Sequence, residues 1–189
     1  KLIIFLLLLL FLLNMTFAGP FGIELGWSAK DFSDRGIEIH FMESNNGIDT
    51  YYIIDEDLPK KHSDFYGGLL YIDRELGLHK MMFVTNGIVP NAYIINVLDK
   101  FEAITKEIST AYGEGLLIAS LCAPENRVTE NKAYETLLIE DDFNGENDLA
   151  MVWNLEDNPI EAIKTIVLHA STNSDKEVNF VLYYFSTFS

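Results

Sequence analysis

The spacing of apolar and polar positions changes along the chain, and each change predicts an element. Ile37, Ile39 and Phe41 alternate with Glu38, His40 and Met42, the two-residue period of a half-buried strand. Asn45-Asn46-Gly47 supplies the left-handed turn chemistry of a tight hairpin, and Asp49-Thr50-Tyr51-Tyr52-Ile53-Ile54 reads as the return strand. Acidic Asp55-Glu56-Asp57 and then Pro59-Lys60-Lys61 end it. A second pair follows at Tyr66 to Asp73 and His79 to Val84, with Gly77 in the connection. These four segments predict an antiparallel meander.

Helical spacing appears in three places. Ser28-Ala29-Lys30-Asp31 has the capping-box spacing, with Phe32 turned inward and Gly36 as a stop, so a short helix is expected. From about Ala92 to Tyr112, Ile94, Val97, Leu98, Phe101, Ile104, Ile108 and Tyr112 recur at three- and four-residue steps, while Asp99, Lys100, Glu102, Lys106 and Glu107 fall elsewhere. That is a long helix with one core face, capped by Asn91 and closed by Gly113. Asn131 to Ile139 predicts a second short helix, with Tyr134, Leu137 and Leu138 on one side.

Between and after the helices the pattern returns to strands. Leu116 to Cys122 is an apolar run read as a strand, with a buried loop as the alternative. Leu149 to Trp153 reads as a strand, Asn158-Pro159 as a break, and Ile163 to Ala170 with Glu177 to Phe185 as a final hairpin. In the last segment Val178, Phe180, Leu182 and Tyr184 face one way and Val181, Tyr183 and Phe185 the other. Apolar character on both faces predicts an interior strand. The expected fold class is therefore α+β: a mainly antiparallel sheet, meander plus C-terminal hairpin, with one long and two short helices packed on it.

The first residues follow another logic. Lys1 precedes twelve apolar residues, Leu2 to Leu13, then Asn14-Met15-Thr16-Phe17-Ala18 and Gly19-Pro20. A basic start, an apolar core of about 7–15 residues and small residues near the cut define a secretory signal. Cleavage is expected after Ala18, leaving 19–189 as a single domain. A membrane span needs about 20 apolar residues, so the expectation is no stable membrane span after cleavage and a periplasmic or secreted location.

Composition narrows the function. The 13 Lys and Arg against 29 Asp and Glu give a net charge of −16, which argues against nucleic acid, whose binding rests on clustered cations. Cys122 is the single cysteine, so no disulfide forms within this sequence and no Cys-rich zinc site exists. Its apolar neighbours Leu116 to Leu121 favour burial of the thiol. The Asn14-Met15-Thr16 glycosylation triplet lies inside the leader.

Phe21-Gly22-Ile23-Glu24-Leu25-Gly26-Trp27-Ser28, placed directly after the leader, resembles the opening of a loose family of small bacterial exported proteins without assigned activity. Pro59 followed by Asp64-Phe65-Tyr66, the Gly77-Leu78 pair, the Tyr112-Gly113 helix end, Trp153 and the Tyr183-Tyr184-Phe185 ending are similar to that family as well. The resemblance implies an exported bacterial protein and brings no catalytic residues. The opening is also similar to periplasmic modules of the β-lactamase-inhibitor-like and outer-membrane-assembly lipoprotein type. In those, a helical pair packs on an antiparallel sheet that binds another protein; this chain lacks their lipid-modified Cys and is longer than one module.

Candidate chemistry is sparse. Glu140-Asp141-Asp142-Phe143-Asn144-Gly145-Glu146-Asn147-Asp148 gathers oxygen ligands around a glycine, but Met151 stands where a calcium loop needs a bidentate Glu. A solvated acidic turn is the simpler expectation, and no metal or cofactor is assigned. Asp55-Glu56-Asp57 joins that patch only if the fold brings the two together. His40, His62, His79 and His169 lack metal spacing, no nucleophile motif surrounds Cys122, and Gly67-Gly68 reads as a strand irregularity. Tyr51, Tyr52, Tyr66, Tyr71, Tyr183 and Tyr184 are expected in a core or in cross-strand pairs, or, if exposed together, on a partner or glycan surface. Trp27 is either a hydrophobic staple or a contact residue. The expected function is a non-enzymatic exported module that binds another protein or an envelope component, acidity favouring a basic partner. A hydrolase using carboxylates and a calcium-stabilised module are the alternatives.

Overall fold

A computed structural model describes residues 19–91, 95–119, 149–155, 162–172, 175 and 177–187. The N-terminal segment 1–18 read as a leader, Cys122, the short helix expected at 131–139 and the acidic turn expected at 140–148 lie outside the described residues. Eight strands form one sheet: β1 His40–Asn45, β2 Ile48–Ile54, β3 Phe65–Asp73, β4 Gly77–Thr85, β5 Leu116–Ala119, β6 Ala150–Asn154, β7 Ile163–Thr172 and β8 Val178–Ser186. Their order is β1-β2-β3-β4-β8-β7-β6-β5, and every neighbouring pair is antiparallel. The expected meander and C-terminal hairpin are both present. β4 and β8 join them, with Met81 opposite Tyr184 and Phe83 opposite Leu182, so β8 is interior as its two apolar faces require.

The strand period sorts side chains onto two faces. Ile53, Leu70, Met81, Phe83, Phe180, Leu182, Tyr184, Ile166, Leu168 and Trp153 turn to one side and are buried. The long helix α2, Ile95–Tyr112, buries Val97, Phe101, Ile104 and Ile108 in the same cluster. Each such side chain contributes about 1.5–3 kcal/mol on leaving water, so this face holds the fold together. Asn91 Oδ1 accepts the N–H of Ile95, the first described residue of α2, at 3.0 Å, and Gly113 ends the helix at φ +91°.

The short helix α1, Ala29–Asp34, starts in a reciprocal capping box. The Ser28 N–H donates to Asp31 at 2.8 Å and Ser28 Oγ accepts the Asp31 N–H at 3.3 Å. Trp27 meets Phe32 edge to face at 5.3 Å, so its role is the hydrophobic staple, one residue before the cap packing on the fourth residue after it. The Arg35 guanidinium covers the outer face of that indole at 4.2 Å.

One expectation changes. The first strand begins at His40, not Ile37, and Phe41 is 57% exposed. Ile37 and Ile39 pack on the core from the segment before the strand, while Phe41 lies on the sheet edge against Tyr51. The irregularity between Phe41 and Glu43 breaks the period that the sequence suggests. The segment read as a strand from Leu116 is one over Leu116–Ala119, the remainder of the run to Cys122 lying outside the described residues, and its place at the sheet edge leaves Leu116 70% exposed.

Candidate binding surfaces

Neither of the two described α-helices packs on the second face of the sheet, and its centre is aromatic around a single lysine. Tyr71 on β3, Lys80 on β4 and Tyr183 and Phe185 on β8 meet at its middle. The Lys80 ammonium lies 4.7 Å from the Tyr71 ring centre, 5.0 Å from that of Tyr183 and 5.5 Å from that of Phe185. His169 stacks on Tyr183 at 5.7 Å, and Tyr183 on Phe185 at 6.0 Å. Partial burial lowers the Lys80 pKa and raises those of both tyrosines, because a desolvated charge is disfavoured in each case. The ring faces meet that cation electrostatically.

Toward β1 the same face sinks into a depression of about 280 Å³. Gly67 has no side chain to fill it, and Tyr52, Ile54, Tyr66, Leu69, Met82 and Val84 line it. Tyr52 and Ile54 are each 40% exposed and Tyr66 is 51% exposed. His40 stacks on Tyr52 at 4.5 Å. The Gly67-Gly68 pair therefore does more than interrupt a strand: a Cβ at Gly67 would lie 2.7 Å from the Ile53 carbonyl oxygen, and one at Gly68 would lie 2.3 Å from that of Met82. Only glycine permits these strand contacts.

A second cavity, of about 360 Å³, opens on the helix-bearing side between the 19–22 turn, the 60–65 loop, α2 and β8. Phe21, Phe65, Leu182 and Tyr184 form its apolar wall, and Lys60, Lys61, His62 and Glu107 its polar one. His62 Nδ1 accepts the Asp64 N–H at 3.2 Å, which leaves the proton on Nε2 to face Glu107 at 3.1 Å. Phe21 holds a left-handed φ of 57° there, a conformation that a non-glycine residue keeps only under tertiary restraint.

Asp55-Glu56-Asp57 forms a single helical turn directly after β2, and the acidic stretch 140–148 considered with it lies outside the described residues. Among the described residues no group of three His, Cys, Asp or Glu side chains is placed to hold a metal. No described helix is long and apolar enough to cross a membrane. The sequence singled out the aromatic residues and His62 individually, but not the two concave surfaces they build. The comparisons with known proteins return no match: no family model, no curated protein and no solved structure.

His79 makes a pH prediction. Its Nε2 is buried with no hydrogen-bond partner among the described residues. Burial lowers its pKa below the ordinary 6.5, Asp73 opposing the shift and Lys80 adding to it. As pH falls below 6.5 the unfolded chain takes up a proton that the folded chain refuses, so stability falls until the folded pKa is passed. Asp31, Asp49 and Asp73 have pKa values lowered from 3.8 by hydrogen bonds, so their contribution persists to lower pH and is lost in a separate, more acidic window. Urea unfolding between pH 7 and 5 should therefore show a decline that His79→Gln flattens. An unchanged slope in the variant would refute the assignment.

Proposed function

We propose that the chain is an exported, non-enzymatic binding module that engages another protein or an envelope component through the second sheet face. The observation that carries this reading is the apolar depression walled by Tyr52, Ile54 and Tyr66. Exposed apolar groups gathered in a concavity, rather than scattered singly, mark interaction sites. The net charge of −16 favours a basic partner by steering its approach. The leader supports action outside the cytosol with Gly19 as the first mature residue, as does the resemblance of Phe21 to Ser28 to bacterial exported proteins.

Affinity capture from the extracytoplasmic extract, with terminal sequencing of the recovered chain, tests both parts. A reproducible partner is expected for the unaltered protein and at least tenfold less for Tyr52→Lys/Ile54→Lys, with an unchanged unfolding midpoint. Equal capture by that variant would reject the surface. An intact leader on chain recovered inside the cell would reject export.

A further inference from the structure

The cavity beside α2 has a different character from the sheet face. We propose that it binds a small amphipathic monoanion, a carboxylate carrying one aromatic ring or a short acyl chain. Its volume of about 360 Å³ lies at the small end of the roughly 300–1,000 Å³ of ligand sites, which suits one ring or a short chain. The apolar part of such a ligand would lie against Phe21, Phe65 and Tyr184. The Phe21 ring meets that of Phe65 edge to face at 5.5 Å and that of Tyr184 at 6.4 Å, so the three rings form one packed aromatic wall.

Charge at the rim selects the head group. Lys60 and Lys61 line the cavity in a chain with 29 acidic residues, and among the described residues neither ammonium has an acidic partner. Glu107, the one lining carboxylate, opposes an anion, but it already accepts from His62 Nε2 at 3.1 Å. That leaves the two lysines as the unpaired side-chain charges at the mouth, complementary to a carboxylate, and cleavage before Gly19, which also lines the cavity, would add an α-ammonium of the same sign. The wall is also fixed in place. The Lys60 N–H donates to the Phe21 carbonyl at 2.9 Å, a Cβ on Gly22 would stand 2.8 Å from Pro59 Cβ, and Asp64 is ion-paired with Lys100 of α2. A loop already held in position loses little entropy on binding.

The purified chain would be titrated by two-dimensional NMR with 4-phenylbutyrate, 4-phenylbutylamine and 4-phenylbutanol. The carboxylate should bind and shift the amides of Gly22, His62 and Tyr112, with the alcohol at least tenfold weaker and the amine weaker still. Lys60→Gln/Lys61→Gln should weaken phenylbutyrate about 10- to 100-fold, the usual worth of charged hydrogen bonds, without moving the unfolding midpoint. Ala111→Trp, a large ring at an exposed lining position, should block binding. Equal binding of the amine, no effect of the lysine replacements, shifts confined to the sheet face, or no binding at all would each overturn the proposal. Tyr52→Lys/Ile54→Lys should leave phenylbutyrate binding intact, which separates this site from the partner surface.

Discussion

Replacing Trp153 with Ala should lower the unfolding free energy by about 3–5 kcal/mol, the usual cost of emptying a large aromatic site in a core. Trp153 is 1% exposed and heads the largest fully buried side chains. Its indole also ties two elements together: Nε1 donates to Ser109 Oγ at 3.2 Å and to the Gly113 carbonyl at 3.1 Å. The end of α2 is thus fastened to β6 by the ring that fills the space beneath it. Gly115 completes the fit, since a Cβ there would stand 2.7 Å from the indole. At about 2–4 °C per kcal/mol for a domain of this size, the midpoint should fall by roughly 10 °C. Far-ultraviolet circular dichroism is the appropriate readout, because the change removes one of only two tryptophans. Trp153→Phe keeps most of the apolar contact and loses the donor, so its cost should be smaller, about 1–3 kcal/mol from unpaired acceptors and lost volume. A loss below about 1 kcal/mol for Trp153→Ala would mean that the ring is not a core element.

The same residue shows where sequence reasoning stops. Leu149 to Trp153 reads as a strand from local pattern alone, but nothing local says that its ring will meet Ser109, 44 residues away. Elements whose signals are local were legible. Ser28 and Asp31 form their capping box, and Asn46 and Gly47 take positive φ values of 50° and 86°, the signature of the expected tight hairpin. Val97, Phe101, Ile104 and Ile108 turn inward at their three- and four-residue steps. The β4–β8 pairing was not legible, because apolar alternation fixes which face a residue takes and not which strand lies beside it. Phe41 shows the related failure: alternation assigned it to a core that the sheet edge does not reach.

The candidate surfaces fall on the illegible side for the same reason. The cavity is assembled from the 19–22 turn, the 60–65 loop, α2 and β8, so only the fold places Phe21, His62, Glu107 and Tyr184 together. The hint in the sequence was chemical rather than positional: Lys60-Lys61-His62 is a basic run in an acidic chain. On the other face, Tyr183 and Phe185 suggested that β8 is interior, and it is. The aromatic groups they join surround Lys80 instead of a second hydrophobic layer among the described residues.

The second large effect concerns backbone rather than side chain. Gly77→Ala should be more damaging than Gly47→Ala, although both glycines hold left-handed conformations, φ +82° and +86°. At Gly47 nothing lies within 4 Å of an added Cβ, so the replacement meets only the left-handed penalty, about 1–2 kcal/mol. At Gly77 the Cβ would stand 2.1 Å from the Gly26 carbonyl oxygen and 2.6 Å from its carbon. These are backbone atoms without a rotamer to escape into. Gly26 is also fixed where it lies, because its N–H donates to the Leu78 carbonyl and the Leu78 N–H to the Trp27 carbonyl, each at 2.8 Å. Relief requires breaking that pair of bonds, which moves Trp27 off Phe32 and loosens α1 from the start of β4. Gly77→Ala should therefore cost more than about 4 kcal/mol, in the exceptional range for a single replacement. Hydrogen exchange at the Gly26 and Leu78 amides should lose protection in any folded fraction. Equal destabilisation at Gly77 and Gly47 would show that turn conformation alone, and not the close approach of two chain segments, sets the requirement for glycine at 77.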